Sequence, residues 1–167
     1  AADRVGLEGG SAGGLLVGAV LNLAPERFRV VHAAVPFVDA LTTMLQPDLP
    51  LTVGEWEEWG NPLADPQVYA AMRAYAPYEN VRAAAYPAVL ATSSLHDTRV
   101  YVTEPAKWVA RLREVVTNDP QTRPILLRTE LSAGHGGRSG RYAAWEQIAW
   151  EWAFVLDQLS ATRRVTG

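Results

Sequence analysis

A serine within a run of glycines is the most chemically informative feature of this sequence. Gly9-Gly10-Ser11-Ala12-Gly13 has the G-x-S-x-G spacing and separates a strand-like segment from a helix-like one, which is the context that this motif requires. A serine at such a turn has a strained backbone, so Gly9 and Gly13 are expected to leave room around it. The Ala12 N–H would then face a developing oxyanion. The pattern predicts a nucleophile; an inert glycine-rich turn is the alternative.

A serine hydroxyl needs a general base, and the chain contains three histidines. His32 lies in an apolar, β-branched run and is predicted to be a buried core histidine. His96 follows a strand-like segment and stands beside Asp97. His135 lies in the glycine-rich segment 132–140, from which its ring could reach the serine. We therefore predict His135 as the base, although a lone histidine in such a loop is often only exposed.

An acid is needed to orient the imidazole, and Asp97 is the best candidate. It follows a predicted strand at 88–93, where its carboxylate could accept the second imidazole N–H and stabilise the imidazolium. The chain order Ser11, Asp97, His135 is that of α/β-hydrolases and differs from the order in chymotrypsin or subtilisin. Asp39, which follows an earlier strand, is the alternative acid.

The segments that would position these residues alternate between the two kinds of secondary structure. The predicted strands are 4–8, 29–35, 88–93 and 125–129, and the predicted helices are 12–24, 65–75, 103–117 and about 142–159. Segment 39–62 predicts one short helix followed by an irregular stretch rich in Trp, Glu and Pro. The alternation indicates an α/β fold with a mostly parallel sheet and helices on both faces.

Composition excludes several classes of function. The net charge of −3, with no basic block, argues against nucleic acid as a partner. The absence of cysteine and of paired histidines argues against a metal site. The chain also lacks the glycine motifs that bind nucleotide phosphates, which argues against a nucleotide cofactor. The longest apolar run is too short for a membrane span. Since no signal peptide is evident, we expect a cytoplasmic protein. We also expect that it needs no cofactor.

Six short blocks along essentially the whole chain resemble the oligopeptidase B branch of the prolyl oligopeptidase family, which is bacterial and protozoan. The blocks are Gly9-Gly10-Ser11-Ala12-Gly13-Gly14-Leu15-Leu16, Val35-Pro36-Phe37-Val38-Asp39, Glu58-Trp59-Gly60-Asn61-Pro62, Leu95-His96-Asp97, Glu104-Pro105-Ala106-Lys107-Trp108-Val109 and Gly134-His135-Gly136-Gly137. The resemblance implies a serine peptidase that cuts short peptides after Arg or Lys through an acyl-enzyme. Ser11, Asp97 and His135 match the positions of the family's catalytic triad.

The resemblance also implies a binding pocket for the residue before the cleaved bond, the P1 residue. Glu55 matches the carboxylate that holds a basic P1 side chain, Glu57 matches a supporting acid, and Phe37 matches a pocket wall. Arg99 matches an arginine that binds substrate backbone in prolyl oligopeptidases, although some oligopeptidase B members differ there. Without the resemblance, the acidic run around Glu55 would more simply be a solvated loop.

The same resemblance implies that residues 1–167 are the C-terminal portion of an α/β-hydrolase domain. Family members carry a β-propeller, several earlier hydrolase strands and a tyrosine oxyanion donor. We expect these parts in the remainder of the parent chain, which would then be a partner of residues 1–167. Without that remainder, strand 4–8 would be an exposed edge that invites self-association. An esterase or acylaminoacyl-type hydrolase, or a truncated domain with little activity, are the alternatives.

Overall fold

The structure is a computed structural model that describes the backbone of residues 4–164 and the side chains of residues 4–159. Four parallel strands form one sheet in the order β1-β2-β3-β4. They are β1 Gly6–Gly10, β2 Val30–Ala34, β3 Ala88–Ser94 and β4 Ile125–Glu130. The helices are α1 Ala12–Leu23, α2 Ala40–Met44, α3 Thr52–Trp59, α4 Pro66–Tyr75, α5 Thr103–Val115 and α6 Arg141–Arg164, with a 3₁₀ turn at Pro25–Arg27. The α/β prediction is confirmed.

Helices cover both faces of the sheet, as the alternation of segments predicted. A Cβ at Gly9 would lie 2.5 Å from Val17 of α1, whereas a Cβ at Gly6 would lie 3.8 Å from Val155 of α6. Because successive residues of a strand point to opposite faces, the odd spacing of the two glycines places α1 and α6 on opposite sides. Trp108 of α5 shares the core of the α1 side.

The main core lies between the sheet and the helices α1 and α5. Its members are apolar residues on alternate positions of β2 and β3 and on one face of each helix: Val17, Leu21, Val31, Ala33, Val89, Ala91, Trp108, Val109 and Leu112. Strand β3 is buried at all seven positions, since it is interior in the sheet and covered on both faces. This core holds the strands whose ends carry the candidate site.

The segment 39–62 departs from the prediction because it contains two helices. Besides α2, the run Glu55-Trp56-Glu57-Glu58 lies on α3, where the sequence predicted an irregular stretch. Its Trp and Glu residues are compatible with helix, and tertiary packing rather than intrinsic propensity stabilises so short an element. The first strand also differs: it runs through Gly10, so the glycine pair ends β1 and does not follow it.

The sheet has a free edge in the part of the chain that the structure describes. There, β1 pairs only with β2, from Gly6↔Val30 to Gly10↔Ala34. The last helix also leaves apolar side chains in solvent: Trp145, Ile148 and Trp152, which share a helical face, are each about half exposed. Together they form a partly exposed apolar stripe along α6.

None of the described helices combines the length and apolar character needed to cross a membrane.

Candidate active site

Ser11 lies at a strained turn between β1 and α1. Its φ of 54° and ψ of −122° fall in a region that non-glycine residues rarely adopt. Three backbone hydrogen bonds maintain the turn. The Ser11 N–H donates to the Ala34 carbonyl (2.9 Å), and the Ser11 carbonyl accepts from the N–H groups of Gly14 (2.9 Å) and Phe37 (3.0 Å). The hydroxyl makes no capping bond to α1. It is therefore free to interact with other side chains.

Glycines give this turn its space, but not the pair that the sequence suggested. A Cβ at Gly9 would lie 2.6 Å from the Gly13 carbonyl oxygen, and one at Gly14 would lie 2.5 Å from the Pro36 Cα. A Cβ at Gly13 would meet nothing within 4 Å. Gly9 and Gly14 are thus the positions where a side chain cannot fit, and the expectation for Gly13 is wrong.

His135 lies within hydrogen-bonding distance of both Ser11 and Asp97. Its Nε2 is 3.1 Å from the Ser11 Oγ, and its Nδ1 is 2.8 Å from the Asp97 Oδ2. An ionised carboxylate can only accept, so the Nδ1 must carry the proton that is shared with Asp97. The Nε2 of the neutral ring is then left to accept the serine proton.

Asp97 is held rigidly after β3. Its side chain is fully buried, and its Oδ1 accepts hydrogen bonds from the backbone N–H groups of Arg99 (2.9 Å) and Val100 (3.0 Å). The loop that carries His135 is attached to the same segment, since the His96 N–H donates to the Ala133 carbonyl (3.2 Å). These contacts align the carboxylate and the imidazole before any substrate arrives.

Two of the alternative residues are engaged elsewhere, and the third is exposed to solvent. His32 is buried, as predicted, and its Nδ1 lies 3.0 Å from a Glu8 carboxylate oxygen on the neighbouring strand. Asp39 forms an ion pair with Lys107. His96 is exposed. The structure thus brings His135 and Asp97, rather than these residues, to the serine.

A cavity of about 130 Å³ opens beside Ser11. It is lined by Ser11, Ala12, Phe37, Thr43, Met44, Leu51, Glu55, Glu58, Trp59, Arg99 and Val100. The rings of Phe37 and Trp59 lie 5.6 Å apart, and the Trp59 indole N–H donates to the Glu55 Oε2 at 3.0 Å. The cavity is therefore lined by two aromatic rings in contact with each other and by a carboxylate that is hydrogen-bonded to one of them.

The predicted binding residues do not all reach this cavity. Phe37, Glu55 and Arg99 line it, whereas Glu57 is exposed on α3 and Glu58 lines the cavity instead. Ala12 also lines it, and as the first residue of α1 its N–H has no partner within the helix.

Sequence reasoning missed Thr43, Met44 and Trp59 as lining residues. Thr43 and Met44 belong to α2, which turns back towards Ser11 after β2. The aromatic run of α3 was the available signal for Trp59, but it becomes informative only once the segment is known to be helical.

The fold and this site place the chain in the α/β-hydrolase class, where a serine follows one strand and an aspartate and a histidine follow later ones. The chain belongs to the prolyl oligopeptidase family, whose model matches residues 1–162. Oligopeptidase B from Leishmania major has a similar structure, with a TM-score of 0.91 and 48% identity over 96% of this chain and 22% of that one. These comparisons confirm the resemblance seen in the sequence.

Curated relatives agree with the structural ones. The chain is 49% identical to dipeptidyl aminopeptidase BI of Pseudoxanthomonas mexicana over 98% of its length, and 49% identical to protease 2 of Moraxella lacunata over 93% of its length. In both cases it spans 22% of the relative. The chain thus corresponds to about a fifth of proteins that are named as peptidases.

Proposed function

We propose that this chain supplies the nucleophile, base and acid of a serine peptidase that hydrolyses short peptides after Arg or Lys. The observation that supports this most directly is the placement of the Glu55 carboxylate in the cavity that Ser11 also lines. A cavity that adjoins the nucleophile is where the P1 side chain of a bound peptide would enter. A carboxylate there favours a cationic P1 residue.

The reaction would proceed through an acyl-enzyme. The Ser11 Oγ attacks the scissile carbonyl carbon while the His135 Nε2 takes its proton, and Asp97 stabilises the imidazolium. The carbonyl π electrons move to the oxygen, where the Ala12 N–H donates to the oxyanion. Collapse breaks the C–N bond, and His135 returns the proton to the leaving amine. Water then repeats the sequence to release the acid and the free serine.

Recognition of P1 would combine charge with shape. The Glu55 carboxylate, held by the Trp59 indole, can accept a bidentate pair from a guanidinium, an arrangement that favours Arg over Lys. Phe37 and Trp59 can contact the aliphatic stem and the planar face of the same side chain. Arg99 also lines the cavity, and we propose that it binds a substrate carbonyl.

Replacing Glu55 by Gln in the full-length protein tests the proposal. The variant removes one charge and keeps the shape, so we expect kcat/KM for a benzoyl-arginyl amide to fall roughly 100-fold, since a hydrogen bond to a charged group is lost. Hydrolysis of p-nitrophenyl acetate, which has no P1 side chain, should fall far less. Equal losses on both substrates would favour the alternative, an esterase or acylaminoacyl-type hydrolase.

Glu57→Gln is the matched comparison because it removes the same charge from the same helix. The family resemblance implies a supporting role for Glu57, and an exposed side chain outside the cavity would exert it only through solvent. We therefore expect a loss of less than about threefold. A loss as large as that of Glu55→Gln would show that net charge, rather than a contact in the cavity, selects the substrate.

The position of the cut within a peptide would depend on parts of the protein outside this chain. Relatives of equal identity are named both a dipeptidyl aminopeptidase and a protease, so this region is compatible with either mode.

We also propose that the chain, studied by itself, associates through the edge of β1 that is unpaired among the described residues. It should also be a weak catalyst, because the family resemblance places a tyrosine oxyanion donor outside this chain. Loss of one oxyanion donor alone lowers kcat roughly 100- to 1,000-fold.

A further inference from the structure

Glu104 is a buried acid that takes no part in the proposed chemistry. It lies in the first turn of α5, is 3% exposed and does not line the cavity beside Ser11. Burial raises the pKa of Glu104 to about 7, because removal from water disfavours the charged form. The free energy of the buried carboxylate therefore depends strongly on the groups that donate hydrogen bonds to it.

Both oxygens of Glu104 bind helix α2. The Oε2 accepts the Asp39 N–H at 3.0 Å, and the Oε1 accepts the Thr43 hydroxyl at 2.6 Å. These two donors lie at the beginning of α2 and near its end, and the helix is only five residues long. An element of this length is not stable by itself. Lys107, one turn further along α5, also pairs with the Asp39 carboxylate, so α5 holds α2 by two side chains.

Helix α2 in turn holds the helix that carries Glu55. The Thr52 hydroxyl donates to the Thr43 carbonyl at 3.0 Å, and the Trp56 indole N–H donates to the Met44 carbonyl at 3.1 Å. Thr52 and Trp56 flank Glu55 in α3. A continuous set of hydrogen bonds therefore leads from Glu104 through α2 to the backbone that presents Glu55.

We propose that Glu104 is a positioning residue for substrate specificity, which fixes α2 and thereby the location of the Glu55 carboxylate. The inference rests on the proposed function, in which Glu55 binds the P1 cation. Glu104 also lies on the helix that follows the Asp97 loop, so the same side chain fixes the P1 cavity relative to the catalytic acid.

The test compares Glu104→Leu with Glu104→Gln in the full-length protein. Leucine removes both acceptors, and we expect KM for a benzoyl-arginyl amide to rise roughly tenfold with kcat changed less than about threefold. Hydrolysis of p-nitrophenyl acetate should stay within about threefold. Glutamine can still accept the Asp39 N–H and can donate to the Thr43 hydroxyl, so it should restore KM to within about threefold of the wild type.

A purely structural role predicts a different result. Loss of folded protein lowers the rate on both substrates equally and leaves KM unchanged, which would overturn the inference, as would a Glu104→Leu variant that behaves like the wild type. If Glu104→Leu does not fold, Glu104→Asp provides the test, with Glu104→Gln as its control. Aspartate keeps the carboxylate but is one methylene shorter, so it cannot reach both the Asp39 N–H and the Thr43 hydroxyl, and only aspartate should raise KM for the arginyl amide; equal KM values in the two variants would overturn the inference.

The two proposals can fail separately. If Glu55→Gln loses arginyl specificity while Glu104→Leu keeps it, only the role of Glu104 is wrong. If the wild type does not prefer the arginyl amide to an amide with an uncharged P1 residue, the proposed function is wrong and this inference is wrong with it.

Discussion

The carboxyl edge of the sheet and the helical segment 39–62 are built by different means, although both contribute to one site. At the sheet edge, Ser11, Asp97 and His135 each follow a parallel strand, and main-chain bonds fix the turns that carry Ser11 and Asp97. In the segment 39–62, short helices are held by side chains distant in sequence, such as Glu104 bound to Thr43.

This difference separates the proposed chemistry from the proposed specificity. Parallel strands in register bring their ends to one edge whatever the side chains are, so the serine, histidine and aspartate depend on the core below them. The cavity beside Ser11, where we propose that the P1 residue binds, depends on individual hydrogen bonds, so its shape should change more easily. We therefore expect substitutions at the sheet edge to abolish activity, and those in the segment 39–62 to alter substrate preference.

The largest effect is expected from His135→Ala in the full-length protein. Without a base the Ser11 hydroxyl is a poor nucleophile, so kcat for the arginyl amide should fall roughly 10⁴- to 10⁶-fold. Loss of covalent labelling by a fluorophosphonate should accompany it. His96→Ala is the matched control, because His96 is exposed, and it should change kcat less than about threefold. Peptide cleavage that survives His135→Ala would contradict the proposed mechanism.

A smaller effect, on stability, is expected from adding one methyl group to the serine turn. In Gly9→Ala the new Cβ would lie 2.5 Å from Val17 and 2.6 Å from the Gly13 carbonyl, so we expect roughly 1–3 kcal/mol of destabilisation. Gly13→Ala adds the same methyl group in open space within α1, where alanine favours helix by up to about 1 kcal/mol. Denaturant unfolding of both variants measures the difference; equal destabilisation would show that backbone strain, not this contact, requires Gly9.

The same distinction explains what could be predicted from the sequence. Apolar segments between turn residues predicted the four strands, and the alternation of strands with helices predicted a sheet covered on both faces. The G-x-S-x-G motif and the positions of Asp97 and His135 after later strands predicted the grouping with Ser11. The sequence could not show that residues 52–59 are helical, because what stabilises α3 is contact with α2 and, through it, with Glu104. On this helix Glu55, Glu58 and Trp59 line the cavity, whereas Glu57 is exposed.

The smallest effect expected is that of Trp59→Phe, which keeps an aromatic wall and removes the N–H that donates to Glu55. The carboxylate remains but loses one restraint, so kcat/KM for the arginyl amide should fall roughly fivefold, as for a partly exposed hydrogen bond worth about 1 kcal/mol. Hydrolysis of p-nitrophenyl acetate should change less. Trp145→Phe, on the half-exposed face of α6, is the matched control. If Trp59→Phe instead lowered both activities equally, Trp59 would support the catalytic edge as well as the cavity, and the separation of the two regions would be wrong.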